Sequence, residues 1–288
     1  MRYIYNLMTA AIAVAMMASC SSDNREEFEF FSVDVPAGTD VELVEGSPVI
    51  QGISFTYNSD GDGLGIIVYP LPVEARTMLE QQTVYHRNPS FADMTMGEVM
   101  PCKIGDRDGW KVGMTGNMNA GVKMAEGYSF ASDGCVVLAY ITSDKDEIGE
   151  LRTRAMKSIE SIQIKADRVA EFKSSPAAMV NAVADLARQN LPLAINEIIT
   201  WTGIKVDDQE RTATMVMEID WDNATDGDLQ QMLDESYDDT VAGLRAEEDG
   251  DLLILVPVKC GFTIAYSYVS ASDGSVLATI SIPASKLQ

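Results

Sequence analysis

Two periodicities alternate along this chain and sort it into two stretches. Aromatic and apolar side chains recurring over residues 28–35 read as a strand, closed by Pro36-Ala37-Gly38. Residues 49–57 and 64–71 read as a hairpin around Asn58-Ser59-Asp60-Gly61-Asp62-Gly63. The spacing then becomes helical over 73–86, with Ala75, Met78, Leu79 and Gln82 on one face. Residues 91–141 return to period two as a four-strand meander, turning at 105–109, near 117–121 and at 132–134. Counting by twos across those turns predicts one shared core face. It comprises Met94, Met96, Met100, Cys102, Trp110, Val112, Met114, Met118, Val122, Met124, Tyr128, Phe130, Val136, Leu138 and Tyr140. A helix over 146–160 offers Ile148, Leu151, Ala155 and Ile159 to cover that face, and 162–164 adds a last strand.

Beyond a polar stretch over 165–175, read as a linker, the order of elements changes. Ser175 is placed to cap a helix and Pro176 to occupy its first turn, with Met179, Val183, Leu186 and Asn190 on one stripe and Leu191-Pro192 as its end. Strands follow over 195–206 and 212–220, joined by the charged turn Asp207-Asp208-Gln209-Glu210-Arg211. A second helix over 226–244 carries Leu229, Met232, Leu233, Tyr237, Val241 and Leu244 inward, and a hairpin over 262–269 and 275–282 turns at Ser272-Asp273-Gly274. The expected fold class is α+β in two domains, residues 28–166 and 167–288, each an antiparallel sheet packed with helices. The second has the order α-β-β-α-β-β.

Charge removes whole classes of partner. Forty-four acidic against 21 basic residues give a net charge of −23, a field that repels phosphate backbones and anionic headgroups. No nucleic acid is expected among the partners, and membrane contact is left to a lipid. The chain has one histidine, His86, and four cysteines. A zinc site or a Ser-His-Asp triad would need that single imidazole, which stands beside Arg87 at a helix end with no nucleophile tied to it.

The amino-terminal segment has its own pattern. Arg2 precedes an apolar run over 7–17 that is about half of the ~20 residues needed to span a membrane, and Ala18-Ser19 supply small residues before Cys20. The stretch Met17-Ala18-Ser19-Cys20 resembles the lipobox of bacterial lipoproteins, of the looser Bacteroidetes type, since Met17 replaces the commoner Leu. That resemblance implies a signal peptide over 1–19, lipidation at Cys20, a tether over 20–27 and a place in the outer membrane. Ser21 in place of Asp implies release from the inner membrane, and the acidic Asp23, Glu26 and Glu27 resemble a surface-export signal, so the expected place is the outer membrane at its periplasmic face or the cell surface. Loss of Arg2 with the leader takes the charge from −23 to −24.

A second resemblance rests on Gly109-Trp110-Lys111-Val112, on Glu126-Gly127-Tyr128-Ser129-Phe130 with its Asp133-Gly134 turn, and on Ser158-Ile159. Together with the order of elements over 28–166 these look like the α/β/α sandwich of PsbP-like proteins. The resemblance implies a fold whose members mostly bind macromolecules, and it transfers no functional residue.

Other candidate chemistry has a structural reading beside it. Met94-x-Met96 and Met215-x-Met217 have thioether spacing suited to Cu(I), but the same methionines fit a sheet core. Asn58-x-Asp60-x-Asp62-Gly63 copies half a calcium loop, with Tyr69 where a bidentate glutamate belongs. Asp222, Asp226 and Asp228 suit a helix amino terminus. Asp239-Thr240-Val241 resembles a Bacteroidetes O-glycosylation acceptor placed inside a helix. Cys102 and Cys135 lie three strands apart in the meander, ~14 Å, which is beyond disulfide reach. The expectation is therefore Cys20 as a lipidation site, with no catalytic, cofactor-binding or metal-binding residues. The expected role is a lipid-anchored envelope module for a protein or glycan partner. The alternatives are a carboxylate-based hydrolase and a methionine-rich metal-handling protein.

Overall fold

The computed structural model describes residues 24–47, 50–57, 62–80, 94–116, 122–145, 148–188, 191–220, 226–247 and 251–288. These fall into two compact units that divide between Ser174 and Ser175. Among the described residues no helix is long and apolar enough to cross a membrane. The α+β class holds for both units, with sheets packed against helices.

In the first unit, β1 (Asn24–Glu27), β2 (Phe31–Val35) and β11 (Gln163–Ile164) make a three-stranded sheet. A larger sheet has the order β3 (Asp40–Ser47), β4 (Ile50–Thr56), β5 (Gly63–Tyr69), β10 (Cys135–Ser143), β9 (Met124–Ser132), β8 (Arg107–Gly116) and β6 (Met94–Met96). Strand β7 (Met100–Ile104) also pairs with β8. Helices α1 (Ala75–Glu80), α2 (Gly149–Ser161) and α3 (Ala166–Lys173) complete the unit. Two stretches are more ordered than their polarity suggests. Residues 24–27, expected as tether, pair with β2. Much of the expected linker is α3, whose Val169 and Phe172 join the core because a one-turn apolar spacing suffices to bury one side of a short helix.

The single even-numbered core face does not form. Tight two-residue turns pair Ile104 with Arg107 and Ser132 with Cys135, and β8 meets β9 with Met114 opposite Ala125. Each pair joins an even residue to an odd one, so parity flips from strand to strand. Trp110, Val112, Met114, Val136, Leu138 and Tyr140 therefore share one face, which α1 covers with Met78 and Leu79. Tyr128, Phe130, Cys102 and Ile104 lie on the other face with Phe55, Val137 and Ile141, beneath β2 and the Leu151, Ala155 and Ile159 stripe of α2. Both faces of the middle strands are thus buried. A fully buried Phe, Ile or Val contributes about 1.5–3 kcal/mol. Loss of either covering layer would outweigh the whole net stability of a domain, about 5–15 kcal/mol.

The second unit starts as its sequence dictates. Ser175 Oγ accepts from Ala178 N at 3.3 Å and α4 (Pro176–Arg188) buries Met179, Val183 and Leu186; Asn190 lies outside the described residues. The five-stranded sheet runs β12 (Leu193–Ala194), β13 (Ile199–Asp207), β14 (Thr212–Ile219), β15 (Thr263–Ser270) and β16 (Val276–Ile282). It is antiparallel except at its centre, where β14 and β15 run parallel. A parallel pair needs a crossover. It is supplied by α5 (Asp226–Glu235), α6 (Tyr237–Glu247) and α7 (Leu252–Lys259). The helix expected over 226–244 breaks at Ser236, and Met232, expected inside, is 56% exposed, while Leu229, Val241 and Leu244 are buried. Helix α7 was not legible because Leu252 to Val258 are all apolar and show no period. Trp201, Met215, Met217, Ile264, Ile280 and Ile282 form the buried face of the sheet, and α8 (Ala284–Leu287) ends the chain.

Gly109 on β8 is hemmed in by its neighbouring strands β7 and β9. A Cβ there would stand 2.7 Å from Ser129 O and 2.8 Å from Ile104 Cδ1. Overpacking against backbone costs about 1–3 kcal/mol, so Gly109→Ala is expected to lower the unfolding free energy by that amount in urea titration; an unchanged midpoint would contradict the pairing of β8 with β9.

Candidate functional site

Cys20, His86, Asn58, Asp60, Met118 and Asp222 lie outside the described residues, as does the side chain of Met94. The rest of the methionine cluster is scattered. Met114 is buried, Met96 and Met124 are half-buried, and Met100 is 46% exposed. The parity flip sends Met114 to the face opposite Met100 and Met124, so a single covered methionine face is not present. Met215 and Met217 are buried against the second sheet. Among the described residues no three His, Cys, Asp or Glu side chains converge as metal ligands would.

The three described cysteines are free thiols. Cys102 on β7 and Cys135 on β10 are separated by β8 and β9. Burial pushes the Cys135 thiol up to about 12, and it also raises Cys102 against the charge of Lys111 and Cys260 against that of Arg211. Thiols held protonated at neutral pH are not activated nucleophiles. Thr240 lies within α6 and donates its hydroxyl to Ser236 O at 2.9 Å, which ties the acceptor-like Asp239-Thr240-Val241 stretch to its own helix.

Asp62, the last carboxylate of the calcium-like turn, faces inward. It accepts from Ser143 Oγ at 2.6 Å, and Lys145 Nζ stands 3.4 Å away. Ser143 is 1% exposed, which keeps it from any substrate and makes the group a brace between the start of β5 and the end of β10. Sequence offered no local sign of it, because 81 positions separate the partners.

The best-defined polar constellation joins β9 to α2. Glu126 Oε2 accepts from Tyr128 Oη at 2.6 Å and from Arg152 Nε at 2.7 Å, and the second oxygen of Glu126 takes Arg152 Nη2. Burial alone would raise the Glu126 carboxyl, but the bonds from Arg152 and Tyr128 and the charges of Arg152 and Lys111 outweigh it and hold it below the usual carboxylate value. Burial and the bond to Glu126 push the Tyr128 phenol upward. A satisfied, bidentate fork of this kind locks an interface. It leaves no unshared proton for acid–base work.

One cleft in the second unit gathers carboxylates. Glu197, Ile198, Thr200, Glu218, Asp220, Ala271 and Ser272 line a volume of about 350 Å³. It forms at the ends of β14 and β15, where the parallel pair finishes. Asp220 N bonds Ile198 O at 2.9 Å and Ala271 N bonds Ile219 O at 3.0 Å. Asn196 Oδ1 holds the preceding turn by accepting from Ile198 N and Ile199 N. Glu218 pairs across the strands with Thr200, and Glu218 and Asp220 share a sheet face because they are two apart. Glu197 and Asp220 are exposed and Glu218 is half-buried. An oxygen-lined notch open to solvent attracts cations but does not supply the apolar surroundings a carboxylic general acid needs.

No protein-family model matches the chain, and no curated protein matches it. Among solved structures it has weak similarity to a candidate secreted protein from Pseudomonas aeruginosa, with 17% identity over 39% of this chain and 93% of that one and a TM-score of 0.31. The cyanobacterial PsbP of Synechocystis matches with 12% identity over 53% of this chain and 98% of that one, at a TM-score of 0.39. A protein from Bacteroides thetaiotaomicron matches with 12% identity over 80% of this chain and 73% of that one, at 0.32.

The Glu126 fork has a measurable pH signature. A carboxyl lowered on folding adds stability that is complete above its unfolded value, near 4.3, and fades as pH falls through the lower folded one. Because Arg152 is 47% exposed, its ion pair is partly screened. Glu126→Gln is expected to cost about 1 kcal/mol at pH 7. In urea melts across pH that deficit should shrink below about pH 4. A deficit that stays constant down to pH 3 would contradict the assignment.

Proposed function

We propose that this chain is a lipid-anchored protein of the bacterial cell envelope whose two α+β units present binding surfaces to a protein or glycan partner. The observation that carries the reading is the segment ending at Cys20. A charged Arg2, an apolar run over 7–17 and two small residues lead directly to a thiol, and β1 opens the folded body at Asn24. Acylation of Cys20 would hold the chain at the outer membrane after removal of residues 1–19. The net charge of −23 supports a membrane attachment made by lipid rather than by the body's own electrostatics.

A binding role suits the side chains better than chemistry does. The strongest polar groups, the Glu126 fork and the Asp62 brace, are consumed in holding elements together. The carboxylate-hydrolase reading has the Glu197, Glu218 and Asp220 cleft on its side, but the notch is open to water and holds no carboxyl in apolar surroundings.

Labelled palmitate fed to producing cells should enter the full-length chain and carry it into the detergent phase on phase partitioning. Cys20→Ala should carry no label and stay in the aqueous phase. Equal partitioning of the two chains would sink the anchor.

A further inference from the structure

The anchor and the fold together fix which end of the first unit meets the membrane. Three residues separate Cys20 from Asn24. Fully extended, that connection spans at most about 14 Å. An acylated Cys20 sits among the headgroups, so β1 is held close above them. Strand direction then selects the end. Asn24 pairs with Val35, and β1 followed backwards runs out past Val35 toward residues 36–39, where Thr39 Oγ1 closes a turn on Pro36 O at 2.7 Å. That turn delivers Asp40, which lies opposite Thr56, which in turn lies opposite Gly63 and Thr142.

One end of the large sheet is thereby placed on the anchor side. The opposite end, at the Ser132–Cys135 turn, is eight strand residues from Ser143, about 27 Å away. Basic side chains stand at this near end beside acidic ones, so the placement rests on the tether and the direction of β1 rather than on net local charge. Lys123, Lys145 and Arg154 are exposed there. Lys123 N bonds Ser143 O, and Arg154 lies over the Tyr57 ring at 4.6 Å. Among the described residues the acidic groups near this end include Asp40, Asp144, the exposed Glu150 of the first turn of α2, and Asp62, which is buried and tied to Ser143 and Lys145. The turn over 36–39 is uncharged.

We propose that the end of the first unit formed by residues 36–40, Lys123 and Lys145 rests on the bilayer headgroups, with the Asp133 turn pointing away. This rests on acylation of Cys20. The docked face is thus built into the fold by a short tether and the direction of β1, and the distal end is left for other contacts.

Native lysines provide the test. Lys145 is 63% exposed and paired to Asp62, and Lys103, at the far end, is 66% exposed and paired to Asp108. They form a matched pair whose acetylation rates differ only through their surroundings. The acylated full chain is reconstituted into phosphatidylethanolamine–phosphatidylglycerol vesicles, recovered by flotation, and briefly acetylated beside Cys20→Ala chain mixed with the same vesicles. Peptide mass spectrometry should show Lys145 and Lys123 modified severalfold more slowly in the floated chain, with Lys103 unchanged. A chain that floats while Lys145 and Lys123 react as fast as in Cys20→Ala, or while Lys103 slows instead, overturns the orientation and leaves the anchor intact. A chain that fails to float overturns the anchor and the orientation with it.

Discussion

Strands β5, β10 and β9 carry apolar side chains on both faces, and that constraint dictates the layers around them. Ile66, Val68, Val137, Ala139 and Phe130 on one side and Tyr69, Leu138 and Ala125 on the other are all buried. A sheet with such strands cannot leave either face to water, so it requires a cover on each. Helix α2 and the small β1–β2–β11 sheet supply one cover and α1 the other. Glycines mark where the covers come closest. A Cβ on Gly127 would stand 3.1 Å from Leu79 and 3.2 Å from Tyr140, which shows how tightly α1 sits.

The second unit answers a different constraint. Its sheet buries one side chiefly, and the parallel β14–β15 pair at its centre forces the chain over that side through three helices. The outer edge at β16 is closed by a side chain, since Gln230 accepts from Thr279 N at 3.0 Å and donates to Thr279 O at 3.2 Å. An amide presented in this way pairs edge groups that would otherwise template another strand.

Local chemistry was legible and long-range geometry was not. The Ser175 cap, the Asp273-Gly274 turn with Gly274 at a φ of 72°, and the α2 stripe follow from short-range rules, and the α+β class follows from them. The face assignment across the meander failed because two-residue turns invert parity. The parallel pair stayed hidden because α7 is uniformly apolar, and the linker reading of 165–175 missed that Val169 and Phe172, three positions apart, recruit a short helix to the core. Of the polar constellations, Glu126 and Tyr128 share a strand face at a spacing of two, but Arg152 arrives from a helix 26 positions on. The Glu197, Glu218 and Asp220 cleft is assembled by strand pairing in the same way. The proposed lipidation of Cys20 rests on linear sequence alone, since export signals are read before folding.

The double covering of the central strands is also what stiffens the first unit. It is tested most directly by native-state hydrogen exchange of the full chain. Amides at 66–68 and 137–139 should be the slowest in the first unit and exchange only through global unfolding, well behind those of the edge strand β3. Exchange at those positions as fast as in β3 would show that one cover is loose and contradict the account.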